Sequence, residues 1–396
     1  MTWQVRPVGE VFRVVNGGTP KTGVAKYWGG PHQWITPAEM GSLPTPYLAK
    51  SRRTLTDAGL QAAELVPANS IILSSRAPIG HLVINEAPMA FNQGCKGLVP
   101  AVGIDGKFAY YFFLANVPLL ESLGTGATFK ELSGGKLRDV AFCFPVLKEQ
   151  NRIVAILDEA FAGISTAKAN AEKSLHSAQA VFTRALDTAF LNRSWYETTL
   201  EALLKEQPRN GWSPPAANHA EAGTPVLTLS SVTGFCFHPE RTKFTSAETV
   251  ADRHYWVCDG DLLITRSNTP ELVGHVAIAF GINTPTIYPD LIMRMRVDSG
   301  KASTDFLYYQ LRSTKLRNEI RRRAHGASST MKKIDKSGVQ TLPIRVASLD
   351  EQRRVASRLH EIEVECEHLE SLYSRKLAAL DELKQSLLQQ AFAGQL

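Results

Sequence analysis

PVLKEQNRIVAILDE (145–159) and ASLDEQRRVASRLHE (347–361) are one phrase written twice, at a constant shift of 202 residues. The shift persists downstream, pairing Leu175 with Leu377, Leu186 with Leu388, and Ala189-Phe190 with Ala391-Phe392. Over 146–192 it gives ten ungapped identities, Leu147, Glu149, Gln150, Arg152, Leu157, Glu159, Leu175, Leu186, Ala189 and Phe190, where composition alone supplies about three. Past its opening residues neither stretch holds a Pro, and Gly163 is the only Gly before their ends, so each reads as one long helix. A helix of about 44 residues is roughly 66 Å long at 1.5 Å per residue.

The apolar spacing along both is heptad-like. One seam runs Ile153, Leu157, Ala160, Ile164, Ala167, Ala171, Ser174, Ala178, Val181, Ala185; the other runs Val355, Leu359, Ile362, Cys366, Leu369, Tyr373, Lys376, Leu380, Leu383, Leu387. One is mostly small and the other mostly large, which lets two helices approach without voids. The two are expected to pack on each other, with Leu157, Phe190, Leu359, Leu380, Leu387 and Phe392 as helix-pair or partner contacts. The duller reading packs each helix on its own globular neighbour. A double change of Leu380 and Leu383 to Asp that left stability untouched would count against the pairing.

Working outward, the flanking blocks repeat too. LVPANSIILSSRAPIGHLVI (65–84) matches WVCDGDLLITRSNTPELVGHVAI (256–278): a turn, an apolar strand, a Ser/Thr-Arg step, a loop, then Gly-His and a second apolar strand. FAYYFFL (108–114) matches FLYYQLR (306–312), and TGATFKEL (125–132) matches HGASSTMKKI (325–334). Trp3 and Trp195 each open a block. Turns rich in Pro and Gly between short Val/Ile/Leu runs make each block α+β. The expected fold is therefore a tandem repeat: a first α+β domain over 1–146, a first helix over 147–192, a second α+β domain over 193–348 and a second helix over 349–396. Antiparallel pairing of the helices would relate the repeats by a pseudo-twofold axis.

Charge follows the same period. Residues 1–148 hold 14 Lys+Arg against 9 Asp+Glu, 149–192 hold 4 against 5, 193–348 hold 20 against 15, and 349–396 hold 6 against 9, which together give the net +6 of the 396-residue chain. Two basic modules held apart by acidic helices suit a polymer with a twofold relationship, namely duplex DNA. Phosphate neutralisation favours positive readers, and one helical turn of about 34–36 Å separates half-sites on one face. The apolar share of 44% excludes disorder as the main state. The longest apolar-looking stretch, AYYFFLANVPLL (109–120), is too short to span a bilayer, and MTWQVRPVGEVF at the start carries no signal core. Five scattered cysteines, 95, 143, 236, 258 and 366, fit neither a disulfide framework nor a zinc site and point to the cytoplasm.

GGTPKTGVAKYWGGPHQWITPAEM (17–40), ILSSRAPIGHLVI (72–84), FNQGCKGLVP (91–100), TGATFKEL (125–132), FPVLKEQNRI (144–153) and QAFAGQL (390–396) resemble specificity subunits of type I restriction-modification systems, in that family's order along essentially the whole chain. The second block keeps only TPVLTLSSV (224–232) of the first string. The resemblance implies two target recognition domains joined by two antiparallel helices, a split DNA site read one half per domain, two adenine-methylating modification subunits docked on the helices, and restriction subunits through them. S-adenosylmethionine, ATP and magnesium would belong to those partners, with no cofactor in this chain.

The residues themselves offer no catalytic constellation. The only Pro-Pro, in Trp212-Ser213-Pro214-Pro215-Ala216, lacks the Asn/Asp and aromatic neighbours with which an adenine methyltransferase grips a flipped base. Gly124-Thr125-Gly126 reads as a turn rather than a cofactor loop, and the run Glu361, Glu363, Glu365, Glu367, Glu370 spreads around a helix as a solvated face. His81 and His275 follow Gly in the repeated loop, as packing or DNA-facing groups. Two other classes stay open: a self-sufficient DNA-modifying enzyme, and a coiled-coil scaffold with basic domains for RNA or protein.

For DNA contact the candidates are Arg76 and Arg266 just past an apolar strand, where a guanidinium can reach phosphate or a guanine edge, or pair structurally instead. Lys96 after the Gln93-Gly94 turn, and Lys130, Lys332 and Lys333 after the Gly-Ala-Thr/Ser loops, suit phosphate contact or are ordinary surface lysines. Arg317, Arg321, Arg322 and Arg323 close a helix whose C-terminal dipole favours cations by about 0.3–1 kcal/mol each; the matching helix of the first repeat has no basic residue, so DNA contact is favoured for Arg321, Arg322 and Arg323. Lys21, Lys26, Trp34 and Thr36 lie in the GGTP…WITP region, with Trp34 read as core and Lys21 and Thr36 as DNA candidates.

Overall fold

The computed structural model describes residues 3–43, 45–76, 78–126, 130–191, 194–326 and 330–396. The chain divides into two compact units, Met1–Ala171 with Arg375–Leu396, and Glu172–Ser374. The long helices span Leu147–Ala189 and Leu349–Phe392, so each contributes a part to both units.

The first unit is α+β. A short strand, Gln4–Pro7, pairs antiparallel with Ala141–Phe144, the strand that leads into the long helix. A five-stranded sheet follows in the order Phe12–Asn16, Cys95–Pro100, Ile71–Ser75, Ile79–Asn85, Tyr47–Leu48, antiparallel except for the last pairing. A smaller sheet joins Arg53–Leu55, Trp28–Ile35 and Met89–Phe91. Ile71–Ser75 is buried along its whole length, the apolar Ile71-Ile72-Leu73 run and the two serines after it alike. Against the larger sheet pack helix Gly106–Ala115, capped by Asp105, and helix Val117–Leu123. Phe108, Phe112, Phe113 and Phe142 fill the space between in edge-to-face and stacked pairs.

The second unit repeats this plan. Tyr196–Thr199 pairs antiparallel with Pro343–Val346. The counterpart of the first unit's larger sheet has four strands, Arg209–Asn210, Ile292–Met295, Leu262–Thr265, Val276–Ile278, all antiparallel. The counterpart of the smaller contains Thr242–Thr245, Thr224–Leu227 and Thr286–Ile287 with the same antiparallel-then-parallel pairing, and His219–Ala220 and Trp256–Val257 extend it to five strands. Helices Thr304–Arg312 and Thr314–Arg323 stand where Gly106–Ala115 and Val117–Leu123 stand in the first unit.

The shared phrase of the long helices has a structural cause. Gln150 is fully buried; its amide donates to the carbonyls of Gly103 (3.0 Å) and Pro145 (2.9 Å), and its oxygen accepts from the Asp105 N–H (2.8 Å). Gln352 does the same with Lys301 (3.3 Å), Ala347 (2.9 Å) and the Ser303 N–H (2.9 Å). Each glutamine thus staples the start of a long helix to the loop that opens the helix packed on the sheet. Tyr111 donates to Asp158 as Tyr309 donates to Glu363 (2.8 Å).

The helices pair antiparallel within each unit. In the first, Arg152 donates to the Leu396 carbonyl (2.6 Å), the Lys384 ammonium lies 5.2 Å from the Phe161 ring, and Lys168 meets Asp381 at 2.6 Å, so numbers rise on one helix as they fall on the other. Ile153, Leu157, Leu388 and Ala391 share one core; in the second unit Leu186, Phe190, Ala356 and Leu359 do. The expected heptad seam holds over most of its length: of its twenty positions only Val181 (54% exposed), Lys376 and Leu383 (47%) face outward, while Leu186 and Leu388, outside it, are also buried. Inward positions also recur every eleven residues, Ile153, Ile164, Leu175, Leu186 and Val355, Cys366, Leu377, Leu388, all buried or half-buried. On a straight helix of 3.6 residues per turn a heptad and an eleven-residue repeat each drift about 20° per repeat, in opposite senses, so both sets of positions can share one face.

Among the described residues no helix is long and apolar enough to cross a membrane, and no group of three or more His, Cys, Asp or Glu is placed to hold a metal ion.

Candidate nucleic-acid interface

In the first unit the strand Ile71–Ser75 delivers Arg76 to the sheet's end. There Arg76 bridges to Glu131, with 3.7 Å between guanidinium and carboxylate, and the Leu132 N–H donates to the Ser75 carbonyl (2.8 Å). Both charges are about two-fifths exposed, so the pair is screened and weak. Lys96 lies in the adjacent strand opposite Leu73 and is only 7% exposed, with no hydrogen-bond or ion-pair partner for its ammonium among the described residues. Burial pushes its pKa below the ordinary lysine value; Glu131 opposes this, and Arg76 and Arg138 reinforce it. The result is a cluster of three cations against one carboxylate, with exposed Lys130 next to Glu131 in the chain. Gly94 lets the backbone approach it, since a Cβ there would come to 3.0 Å from the Arg76 side chain.

The GGTP…WITP string builds the wall beside this cluster. Gly17 and Gly18 donate to the carbonyls of Cys95 (3.2 Å) and Phe91 (2.9 Å), and a Cβ on either would meet a carbonyl oxygen at 2.0 Å or less. Thr19 accepts from Asn92 (2.9 Å) and the Gln93 N–H (3.3 Å), and buried Trp34 donates to the Gly18 carbonyl (2.9 Å). Thr36 accepts from the Glu39 N–H as the N-cap of Pro37–Met40, a local structural task. Lys21 and Lys26 are exposed.

In the second unit Arg266 follows Leu262–Thr265 in the same way. Its carbonyl accepts from the Ile334 N–H (2.9 Å), and Ser267–Asn268 pairs antiparallel with Lys332–Lys333. The Arg after the strand and the lysines after the Gly-Ala-Ser loop, far apart in sequence, are thus neighbours, as Arg76 and Lys130–Glu131 are in the first unit. Lys332 also donates to the Gly326 carbonyl (2.9 Å). The loop centres 127–129 and 327–329 lie outside the described residues.

The arginine cluster separates by task. Arg317 is buried and donates to the Glu271 carbonyl (3.0 Å); burial, with Arg321 beside it, lowers its pKa to about 10. Arg322 and Arg323 both bind Glu319 (2.7 Å each), holding its carboxyl at about 2, and Arg323 donates further to Gly338 (2.9 Å) and Thr341 (2.7 Å). Arg323 is therefore spent on the fold. Exposed Arg321, with one long bond to the Glu271 carbonyl (3.4 Å), is the freest of the set. His275 is a packing group: its Nδ1 accepts from the Gly234 N–H (3.0 Å), its ring stacks 4.0 Å from Phe235, and burial and Arg317 hold its pKa at about 4.

The helix-end phenylalanines go inward. Phe392 packs edge-on against Phe108 (5.2 Å) and Phe112 (5.5 Å), and Phe190 against Phe306 (5.4 Å). Leu157 and Leu359 are buried, Leu380 and Leu387 half-buried.

Cations on and beside two equivalent strands went unread in the sequence: Lys50, Arg52 and Arg53 at Arg53–Leu55 in one unit, Arg241 and Lys243 at Thr242–Thr245 in the other, all exposed. Arg53 stacks 3.6 Å from the Trp28 ring. The run KSRR (50–53) was the available signal.

Two like α+β units, each with an arginine at a strand end beside the lysines of a later loop, and long helices that pair antiparallel within each unit define a duplicated architecture. Residues 1–173 match the family described as the type I restriction modification DNA specificity domain. The MjaIX specificity subunit of Methanocaldococcus jannaschii is 33% identical over 159 residues, 39% of this chain and only 37% of that relative's length. The EcoKI specificity subunit of Escherichia coli K12 is 25% identical over 343 residues, 81% of this chain and 73% of the relative. A solved chain from work on assembly and conformational transition of the type I R-M system shares the fold at a TM-score of 0.79 with 18% identity, covering 100% of this chain and 98% of that one. Residues 1–173 thus match a type I restriction modification DNA specificity domain, and the chain is similar along most of its length to a specificity subunit of such a system.

Proposed function

We propose that the chain is the non-catalytic subunit that chooses the DNA sequence for a type I restriction-modification complex in the cytoplasm, one unit reading each half of a bipartite duplex site. The observation that supports this reading best is the duplication itself: the Arg76 cluster and its counterpart at Arg266 occupy the same strand end in two like units. In this reading Lys96, Lys130, Lys332, Lys333 and Arg321 meet phosphates and fix register, while Arg76 and Arg266 lie nearest the base edges. Lys21 has only its exposure in its favour, Thr36 contributes by shaping the wall, and Arg322 and Arg323 contribute through the helix they brace. The long helices hold the spacing and carry two modification subunits, with restriction subunits joining through them. S-adenosylmethionine, ATP and magnesium are assigned to those partners.

Co-expression with the neighbouring genome-encoded subunits, purification and mapping of methylated adenines tests the proposal. Methylation at a two-part site with a constant gap is expected. Methyl transfer by this chain alone would restore the self-sufficient enzyme, and association without sequence preference would restore the scaffold. Lengthening both long helices by one turn should change the accepted gap; an unchanged gap would remove the spacing role.

A further inference from the structure

The units differ at one sheet edge. In the first, the N–H groups of Ile84 and Glu86 donate to the carbonyls of Pro46 (2.7 Å) and Leu48 (2.9 Å), so the strand Tyr47–Leu48 completes the sheet. Counting from the repeated Gly-His, the same positions in the second unit are Ile278 and Phe280, whose N–H groups meet no acceptor among the described residues. The chain stretch that should lie there, Gly234–Phe237, forms no ladder. It is turned aside by a positive φ of 64° at Phe235, held by the Gly234–His275 bond and by the Tyr308 hydroxyl, which donates to the Phe235 carbonyl. A bulky residue pays for that conformation only where its surroundings enforce it.

A cavity of about 690 Å³ opens beside this edge, within the second unit, between the edge, the Phe235–Phe237 turn, helix Thr304–Arg312 and the long helix. Phe280 (58% exposed) and Val364 (50%) stand on it. Its charge is reversed from the first unit: Asp305 replaces Lys107, which there lies 5.4 Å from the Tyr47 ring. Arg312 is occupied by Glu363 at 2.6 Å, and Arg353 by Asp350 at 3.4 Å. Asp305 and Glu367 have no ion-pair partner among the described residues, and burial together with Glu363 raises the Glu367 pKa.

We propose that this groove takes an extended segment of another polypeptide, which adds to the Val276–Ile278 edge, lays apolar side chains on Phe280 and Val364, and sets a lysine or arginine between Asp305 and Glu367. Backbone pairing supplies affinity and the alternate side chains supply choice, as in other strand additions. The first unit already shows the arrangement with its own strand, and the uncompensated carboxylates specify a cationic occupant.

The test titrates the full chain with fluorescein-labelled seven-residue peptides alternating valine with lysine, or valine with glutamate, read by anisotropy and by amide exchange. Saturable binding of the lysine peptide below about 1 mM, at least about tenfold weaker binding of the glutamate peptide, and slowed exchange at the Ile278 and Phe280 amides are expected. The double variant Asp305→Asn/Glu367→Gln, which keeps size and fold, should weaken the lysine peptide by about tenfold. No saturable binding, equal binding of both peptides, or slowed exchange elsewhere than this edge would overturn the proposal.

Discussion

The two units agree where they meet the long helices and part company where they face outward. Gln150 and Gln352, Tyr111 and Tyr309, Phe392 and Phe190 occupy matched places with matched bonds. At the reading end the first unit has buried, unpaired Lys96; the same register position in the second is Arg294, neutralised by Glu206 at 3.1 Å. The helix Val117–Leu123 is uncharged but for Glu121, whereas Thr314–Arg323 carries four arginines. Duplication therefore preserves the frame and lets the outward faces diverge, which is what the proposed reading of two different half-sites requires.

Substitutions in the frame should be the costliest and should cost alike in both units. Phe392→Ala and Phe190→Ala, and Leu388→Ala on the inward seam, are each expected to lose about 3 kcal/mol, while Leu383→Ala loses less than about 0.5 kcal/mol; denaturant unfolding measures all four. A large effect at Leu383 would put that residue back in the buried seam. Gln150→Ala and Gln352→Ala should each cost about 2 kcal/mol, because each strands buried backbone groups; unequal losses would break the equivalence of the units.

Reader substitutions should leave stability nearly intact and act on DNA. Lys96→Met or Arg321→Ala is expected to weaken duplex binding by the assembled complex about tenfold and to lower the salt slope by about one, whereas Arg323→Ala should act on thermal stability instead. Salt titrations of affinity separate these outcomes.

The smallest effect concerns pH. The folded His275 titrates at about 4 and its unfolded counterpart near 6.5. The unfolded chain therefore binds more protons between these values, and stability rises with pH there. The contribution is complete above about 6.5 and is lost as pH falls toward about 4. His275→Gln, which keeps an acceptor for the Gly234 N–H, should flatten that part of the melting-temperature profile.

The repeat, the long helices and the α+β blocks were legible in the sequence because periodicity and internal identity report directly on which faces are buried. The seam was legible over most of its length but incomplete, because Leu175, Leu186, Leu377 and Leu388 were taken as repeat identities and not as further inward positions. The glutamine staples were legible as identities but not as bonds, since their partners are backbone carbonyls that carry no side-chain signature. The basic cluster was half legible. Arg76, Lys96 and Lys130 stood out by type, but their convergence, the burial of Lys96 and the engagement of Arg323 depend on strand register.

Selection of bound duplexes from a random pool by the assembled complex, with the wild-type chain and with Arg76→Ala/Lys96→Met, tests the one-unit-per-half-site reading most directly. Two fixed half-sites with a constant gap are expected, and the variant should relax one half while leaving the other and the gap unchanged. A single uninterrupted site, or simultaneous relaxation of both halves, would contradict it.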